Sequence, residues 1–173
     1  MAALQYVDVP GYSALILRRT HPQLSSASGL IARSQEWLAG TDATYSVQNS
    51  RWTFPSGATL GFGACQYDSD RYTYQGPEYQ YVGFDELTQF SETIYRYLFS
   101  RLRRLSGVEV PIRMRAASNP GGLGHDWVKT RFLDEGREAG RIFIPSKLAD
   151  NPYLDADDYL LSLAELDPVT RRQ

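Results

Sequence analysis

The chain has 173 residues, 42% hydrophobic and 22% charged, with a net charge of −2. That length suits one domain, and that balance excludes a disordered or membrane-spanning polypeptide: the longest apolar run, Ala14–Leu17, is far too short to cross a bilayer. The slight negative charge argues against a dedicated DNA-binding domain, although residues 1–95 are net −4, residues 96–147 net +6 and residues 148–173 net −4. If any stretch meets phosphate it is the middle one; the alternative is that its arginines occupy solvated faces. No basic segment followed by an apolar one opens the chain, so no secretory signal is expected. The single Cys65 cannot form an internal disulfide, which suits a reducing cytoplasm.

In chain order, Ala14–Arg18 follows Pro10-Gly11 and reads as a short buried strand of the parallel type. Gly29–Leu38 predicts a helix, with Leu30, Ile31, Trp37 and Leu38 as its apolar positions. Tyr45–Val47, Arg51–Phe54 and Thr59–Phe62 predict antiparallel strands, turned at Asn49-Ser50 and Pro55-Ser56-Gly57. Cys65 reads as a small apolar side chain on a strand, with a nucleophile as the alternative. A tyrosine-rich polar stretch, Gln66–Tyr79, is broken at Gly76-Pro77. Gln80–Phe84 predicts a strand and Leu87–Leu105 a helix stopped by Gly107. Pro111–Ala117 predicts a further strand, Trp127–Leu133 a helix, Arg141–Ile144 a short strand before Pro145, and Asp155–Glu165 a helix with acidic residues at its N-terminus. Strands alternating with helices imply an α/β sheet, and the middle hairpins add an antiparallel patch. No repeat, low-complexity tract or linker divides the chain, so a single domain is expected.

Two places concentrate chemistry. The strand leading to Asp85-Glu86 delivers adjacent carboxylates to its C-terminal end, the edge where parallel α/β sheets hold ligands. One carboxylate there can hold Mg²⁺ and its neighbour can orient or deprotonate a water. The alternative is that both simply favour the first turn of the next helix. The second place is Ser118-Asn119-Pro120-Gly121-Gly122, after the next strand. An amide there can sense a γ-phosphate or its water, or the segment is an ordinary turn. His21 and His125 have neither companion cysteines nor His-x-x-His spacing, so no zinc site is expected.

The motifs occur in series: Arg18-Arg19-Thr20, Phe54-Pro55-Ser56-Gly57-Ala58, Tyr74-Gln75-Gly76, Val82-Gly83-Phe84-Asp85-Glu86-Leu87, Ser100-Arg101-Leu102-Arg103, Ser118-Asn119-Pro120-Gly121-Gly122 and Gly124-His125-Asp126-Trp127. This order resembles the ATPase domain of bacteriophage terminase large subunits, from the first strand to near the C-terminus. The resemblance implies an α/β, P-loop NTPase-like fold, with a mainly parallel sheet flanked by helices, an antiparallel hairpin insertion and an N-terminal truncation. Residues 1–173 are then one partial ATPase domain that starts after the phosphate-binding loop. It implies that Asp85 coordinates Mg²⁺, that Glu86 activates water, and that Ser118 and Asn119 couple ATP hydrolysis to DNA movement. It marks Asp85, Gln75 and Gly76 as nucleotide-side candidates, Gln75 standing where many terminases carry an arginine. Arg101, Arg103 and Arg104, expected beside Arg96 on or near the end of one helix, are candidates for contact with DNA phosphate or a neighbouring subunit's nucleotide. The alternative is a solvated basic face.

For the parent protein the resemblance implies Mg²⁺ and ATP as cofactors. The implied partners are double-stranded DNA, the portal protein, the small terminase subunit and copies of itself in a ring, in the host bacterial cytoplasm and without a membrane. The sequence departs from the family in lacking Gly-x-x-x-x-Gly-Lys-Ser/Thr, whose amides and lysine cradle phosphates. Little or no ATPase activity is therefore expected of this chain alone. The family's missing strand would lie between Arg113–Ala117 and Arg141–Ile144, so a raw sheet edge and self-association are also expected. A rival reading takes the aromatic-rich Tyr45–Tyr81 region as a non-catalytic surface for sugar or single-stranded nucleic acid, or the chain as an assembly module. The plainer alternative is that those rings fill the core.

Overall fold

The computed structural model describes residues 2–136, 138–146, 150 and 152. Six strands form one sheet in the order β2-β3-β4-β1-β5-β6: β1 (Ser13–Arg18), β2 (Thr44–Ser46), β3 (Arg51–Thr53), β4 (Thr59–Ala64), β5 (Tyr81–Asp85) and β6 (Arg113–Ala117). β1 is parallel to both β4 and β5, and β5 is parallel to β6, whereas β3 runs antiparallel to both of its neighbours, β2 and β4. The hairpin strands therefore extend the main sheet through β4.

Side-chain alternation splits the sheet into two faces, each with its own core. Ala14, Leu60, Trp52 and Tyr81 share one face with Leu24 and Ile31, which come from helices α1 (His21–Ser25) and α2 (Leu30–Leu38). Leu15, Leu17, Val82 and Phe84 share the other with Ile94, Tyr95 and Leu98 of α3 (Glu92–Phe99). Each fully buried Leu or Val contributes about 1.5–3 kcal/mol of apolar burial, and Leu17, Val82 and Leu98 are at 0% exposure. The fully buried Gln80 is paired on every side. Its side chain accepts from Ser13 N (2.8 Å) and donates to the Arg103 carbonyl (3.1 Å). Its own N–H donates to Ser13 O, and its carbonyl accepts from Arg113 N.

Most aromatic rings of the Tyr45–Tyr81 region lie in these cores. Trp52, Phe54, Phe62, Tyr74, Tyr79 and Tyr81 are buried, while Tyr67 and Tyr72 are exposed. Cys65 lies just past β4 and is buried; burial first, then Asp70 and Asp68, pushes its thiol up to about 12. It remains a protonated core side chain at neutral pH, not a nucleophile.

Three expectations change. The helix expected over Leu87–Leu105 is α3 alone, preceded by a 3₁₀ turn at Leu87–Gln89. Its start is fixed by Ser91, whose hydroxyl accepts from Ile94 N (3.3 Å), a normal N-cap. Its end is fixed by the approach to β5: Tyr79 N donates to Arg101 O and Arg103 N to Tyr79 O, both at 3.0 Å, so ladder bonds replace helical ones. Arg101, Arg103 and Arg104 thus lie beyond the helix. Arg141–Ile144 forms no strand; Ile142 and Ile144 are 83% and 80% exposed. A strand needs a ladder partner, and among the described residues the sheet ends at β6. The Trp127–Leu133 helix begins earlier, as α4 (His125–Lys129), and continues as a π turn over Thr130–Asp134. The helix expected over Asp155–Glu165 lies outside the described residues. The structure adds α1 and a 3₁₀ segment over Asp68–Tyr74, neither of which is among the predicted elements. Among the described residues no helix is long and apolar enough to cross a membrane.

Candidate functional site

Three parallel strands, β1, β5 and β6, end together. Leu17 stands opposite Phe84, and Asp85 opposite Ala117, so Arg18, Asp85 and the Ser118-Asn119 pair share one edge. It is the C-terminal edge, where parallel sheets offer open crevices. Asp85 is partly exposed, and its Oδ2 accepts a close charge-assisted bond from Arg18 Nη1. No local pattern in the sequence announces that ion pair.

The chain leaves β5 through an unusual conformation. Glu86 sits at φ 58°, ψ 61°, left-handed backbone that costs a non-glycine residue about 1–2 kcal/mol. The turn separates Glu86 from Asp85 in direction and starts the Leu87–Gln89 turn. Among the described residues none donates a hydrogen bond to the Glu86 carboxylate. The carbonyl of Gln89 accepts from Arg19 Nη1 (2.5 Å), so the segment after Glu86 is tied to the end of β1.

Thr88 connects β5 to the loop after β6. Its N–H donates to Ser118 Oγ (3.0 Å), its hydroxyl lies 2.8 Å from the same oxygen, and it donates to Asn119 O (3.1 Å). Its carbonyl accepts from Gly124 N at 2.6 Å. The loop packs so closely that a β-carbon on Gly124 would meet Phe90 O and Trp127 Nε1, each at 2.5 Å. Trp127 Nε1 donates to that Phe90 carbonyl (2.9 Å), and His125 Nδ1 accepts from Gly121 N (3.0 Å). The residues between Ser118 and Trp127 are thereby bonded directly to the segment that follows Glu86.

The other candidates lie elsewhere. Arg101 donates to the carbonyl of Gln75 (2.9 Å) and lies over Tyr97. Its own carbonyl is bonded to Tyr79, just before β5 starts, so Gln75 and Gly76 are anchored at the opposite end of that strand from Asp85. Arg103 pairs with Glu78 (3.4 Å) and Arg96 with Glu92 (2.7 Å); Arg104 is exposed. Sequence reasoning singles out Asp85, Glu86, Ser118 and Asn119, which the fold brings together. It misses Thr88, which directly follows the Val82–Leu87 motif, and the partnership of Arg18, which only the register of β1 against β5 reveals.

The whole of this arrangement falls within a family match. Residues 2–157 match the profile of the terminase large subunit, T4likevirus-type, N-terminal. The chain belongs to that terminase family. Among curated protein sequences none matches it. Among solved structures it is similar to the large terminase of a thermophilic bacteriophage, with a TM-score of 0.70 at 15% identity, over 94% of this chain and 39% of that one. The same phage protein in complex with ADP gives 0.68 at 15% identity, covering 94% and 39%. Its complex with ATP-γ-S gives 0.67 at 14% identity, covering 94% and 38%. The likeness establishes the fold alone, a mixed and mainly parallel sheet flanked by helices, shared with that large terminase. The chain spans about 39% of the length of the thermophilic phage terminase it matches.

Proposed function

We propose that the shared edge of β1, β5 and β6 is part of an ATP-hydrolysing centre. In the protein that carries this chain, that centre drives double-stranded DNA into a phage procapsid. The observation that carries this reading is the register of β5 and β6, which sets Asp85 opposite Ala117, next to Ser118 and Asn119. A carboxylate pair at one strand end and a bonded Ser-Asn loop at the next suit a site that splits a phosphoanhydride and transmits the event.

In this reading Asp85 is the Walker B aspartate that holds Mg²⁺. The donors fit: magnesium takes hard oxygen ligands, needs one or two carboxylates from the protein, and draws the rest from phosphate and water. Bound there, the ion would neutralise charge on the phosphates. Glu86 accepts the proton of the attacking water. Ser118 and Asn119, through Thr88, carry the change at the phosphate into the loop ahead of α4. The thermophilic phage terminase's complexes with ADP and ATP-γ-S support a nucleotide as the ligand of this fold. The portal protein, the small terminase subunit and ring-forming copies of the same protein are its proposed partners, in the host cytoplasm. Gln75 and Gly76 would face a neighbour's nucleotide rather than their own, and Arg101, Arg103 and Arg104 would face DNA or that neighbour.

No Gly-x-x-x-x-Gly-Lys-Ser/Thr occurs in the 173 residues, so we assign the phosphate-binding loop to sequence outside them. Phosphate release from Mg-ATP by this chain is then expected at background. A robust rate that vanishes in Asp85→Ala would sink that assignment. In the full-length terminase that contains these residues, Glu86→Gln is expected to lower kcat by about 10²-fold or more with ATP still bound. Unchanged turnover would remove Glu86 from the mechanism.

A further inference from the structure

We infer that Arg18 and a divalent cation compete for Asp85. Arg18 balances the carboxylate while no metal is there and is displaced when one arrives. The inference rests on the proposed role of Asp85.

The geometry of the pair carries it. Arg18 reaches Asp85 from the end of the adjacent parallel strand, and the side chains are 24% and 26% exposed. The contact runs through one nitrogen, Nη1, and lacks the two parallel bonds that make arginine–carboxylate pairs strongest. Arg18 Nε is buried and, among the described residues, has no acceptor. The guanidinium is therefore incompletely satisfied where it rests. A metal on Asp85 would set a double positive charge against a single one, and like charges at contact repel strongly outside bulk water. Formal charge gives the same result. Asp85, Glu86 and Arg18 together carry one excess negative charge, which a divalent ion converts to one excess positive charge, favourable for a phosphate.

The displacement is confined to a side chain. Arg18 stands opposite Ala64 in the β1–β4 ladder, its carbonyl accepts from Cys65 N, and Leu17 and Phe84 are paired within the sheet, so the backbone at Arg18 is fixed. A freed guanidinium keeps its donors at the same edge, where a phosphate oxygen would give Nε its missing acceptor. Arg18 acts through Asp85 and is a positioning residue.

The test uses this chain and Mn²⁺ alone, read as paramagnetic broadening of the Asp85, Glu86 and Leu87 amide resonances. Arg18→Gln is expected to lower the Mn²⁺ concentration at half-broadening by about two- to fivefold, the range set by a partly exposed ion pair. Arg18→Lys, which keeps the charge, is expected to stay near the unaltered chain. A strand tie without competition would lower stability in Arg18→Gln but leave the midpoint where it was, and that result overturns the inference. Asp85→Asn separates the two levels: loss of broadening supports the metal site, whereas unchanged broadening removes the site and the competition together. A measurement needing no variant is titration with diamagnetic Mg²⁺. The Arg18 Nε–H resonance is expected to shift in step with the Asp85 amide, and an unmoved Arg18 signal counts against displacement.

Discussion

Glu86 joins backbone strain to chemistry in a single residue. Its left-handed backbone, at φ 58°, would suit glycine, yet a glutamate stands there. Strained residues persist where the surroundings or the function require them. Two substitutions separate the contributions. Glu86→Gly is expected to raise the free energy of unfolding by about 1–2 kcal/mol, because glycine adopts this conformation without the β-carbon clash. Glu86→Ala removes the same carboxylate but keeps the clash, so no comparable gain is expected. Urea denaturation of the two variants measures the difference directly. Equal stabilities would show that the turn is not strained, and that Glu86 owes its orientation to something other than an enforced backbone.

Among the elements, α2 is fixed to the hairpin strands by one buried pair. Ser34, on α2, accepts a hydrogen bond from Trp52 Nε1 on β3 (2.9 Å), and Ser34 Oγ donates to Ile31 O (2.7 Å). Trp52 is only 6% exposed, so Ser34→Ala strands its indole N–H away from water. The expected cost is about 1–3 kcal/mol, measurable as a lower urea midpoint with the denaturant slope unchanged. Full retention of stability would mean that water reaches the indole. This pair also marks what the sequence reveals and what it hides. The strand to Asp85 and the turn at Ser118-Asn119 are legible because apolar runs and turn residues are local signals. The α2 helix is legible from Leu30, Ile31 and Leu38. The early end of α3 is not, since it depends on Tyr79 capturing the backbone of Arg101 and Arg103. The Arg18–Asp85 pair is hidden for the same reason: 67 positions separate its members, and only the register of β1 against β5 unites them. α1 is more accessible, because Thr20 N bonded to Gln23 Oε1 (3.2 Å), with Pro22 in the first turn, is an ordinary helix-start pattern.

For the molecule as a whole, the sheet has two cores and, among the described residues, two edge strands, of which β6 with five residues is a longer template than β2 with three. Arg113 N donates to Gln80 O. In a parallel ladder alternate residues face opposite neighbours, so the backbone of Arg113, Arg115 and Ala117 faces β5 while that of Met114 and Ala116 faces outward. Among the described residues no strand meets those outward groups. A shallow, open depression lined by Ala2, Leu4, Gln5 and Arg115 lies beside β6. The chain also exposes Ile142, Phe143 and Ile144. An open edge of this kind is a template for another chain. Arg113 and Arg115 resist that pairing only in part, because their side chains stand on one face of the sheet and not in its plane. Reversible, concentration-dependent self-association of the isolated chain through β6 is therefore expected in sedimentation velocity. Ala116→Pro should suppress it, because proline removes an outward N–H while leaving the ladder to β5 intact. Far-UV circular dichroism should show the fold retained. If the proline variant folds and still associates at the same concentrations, contact runs through the exposed Ile142–Ile144 segment, and polar substitution there should abolish it instead.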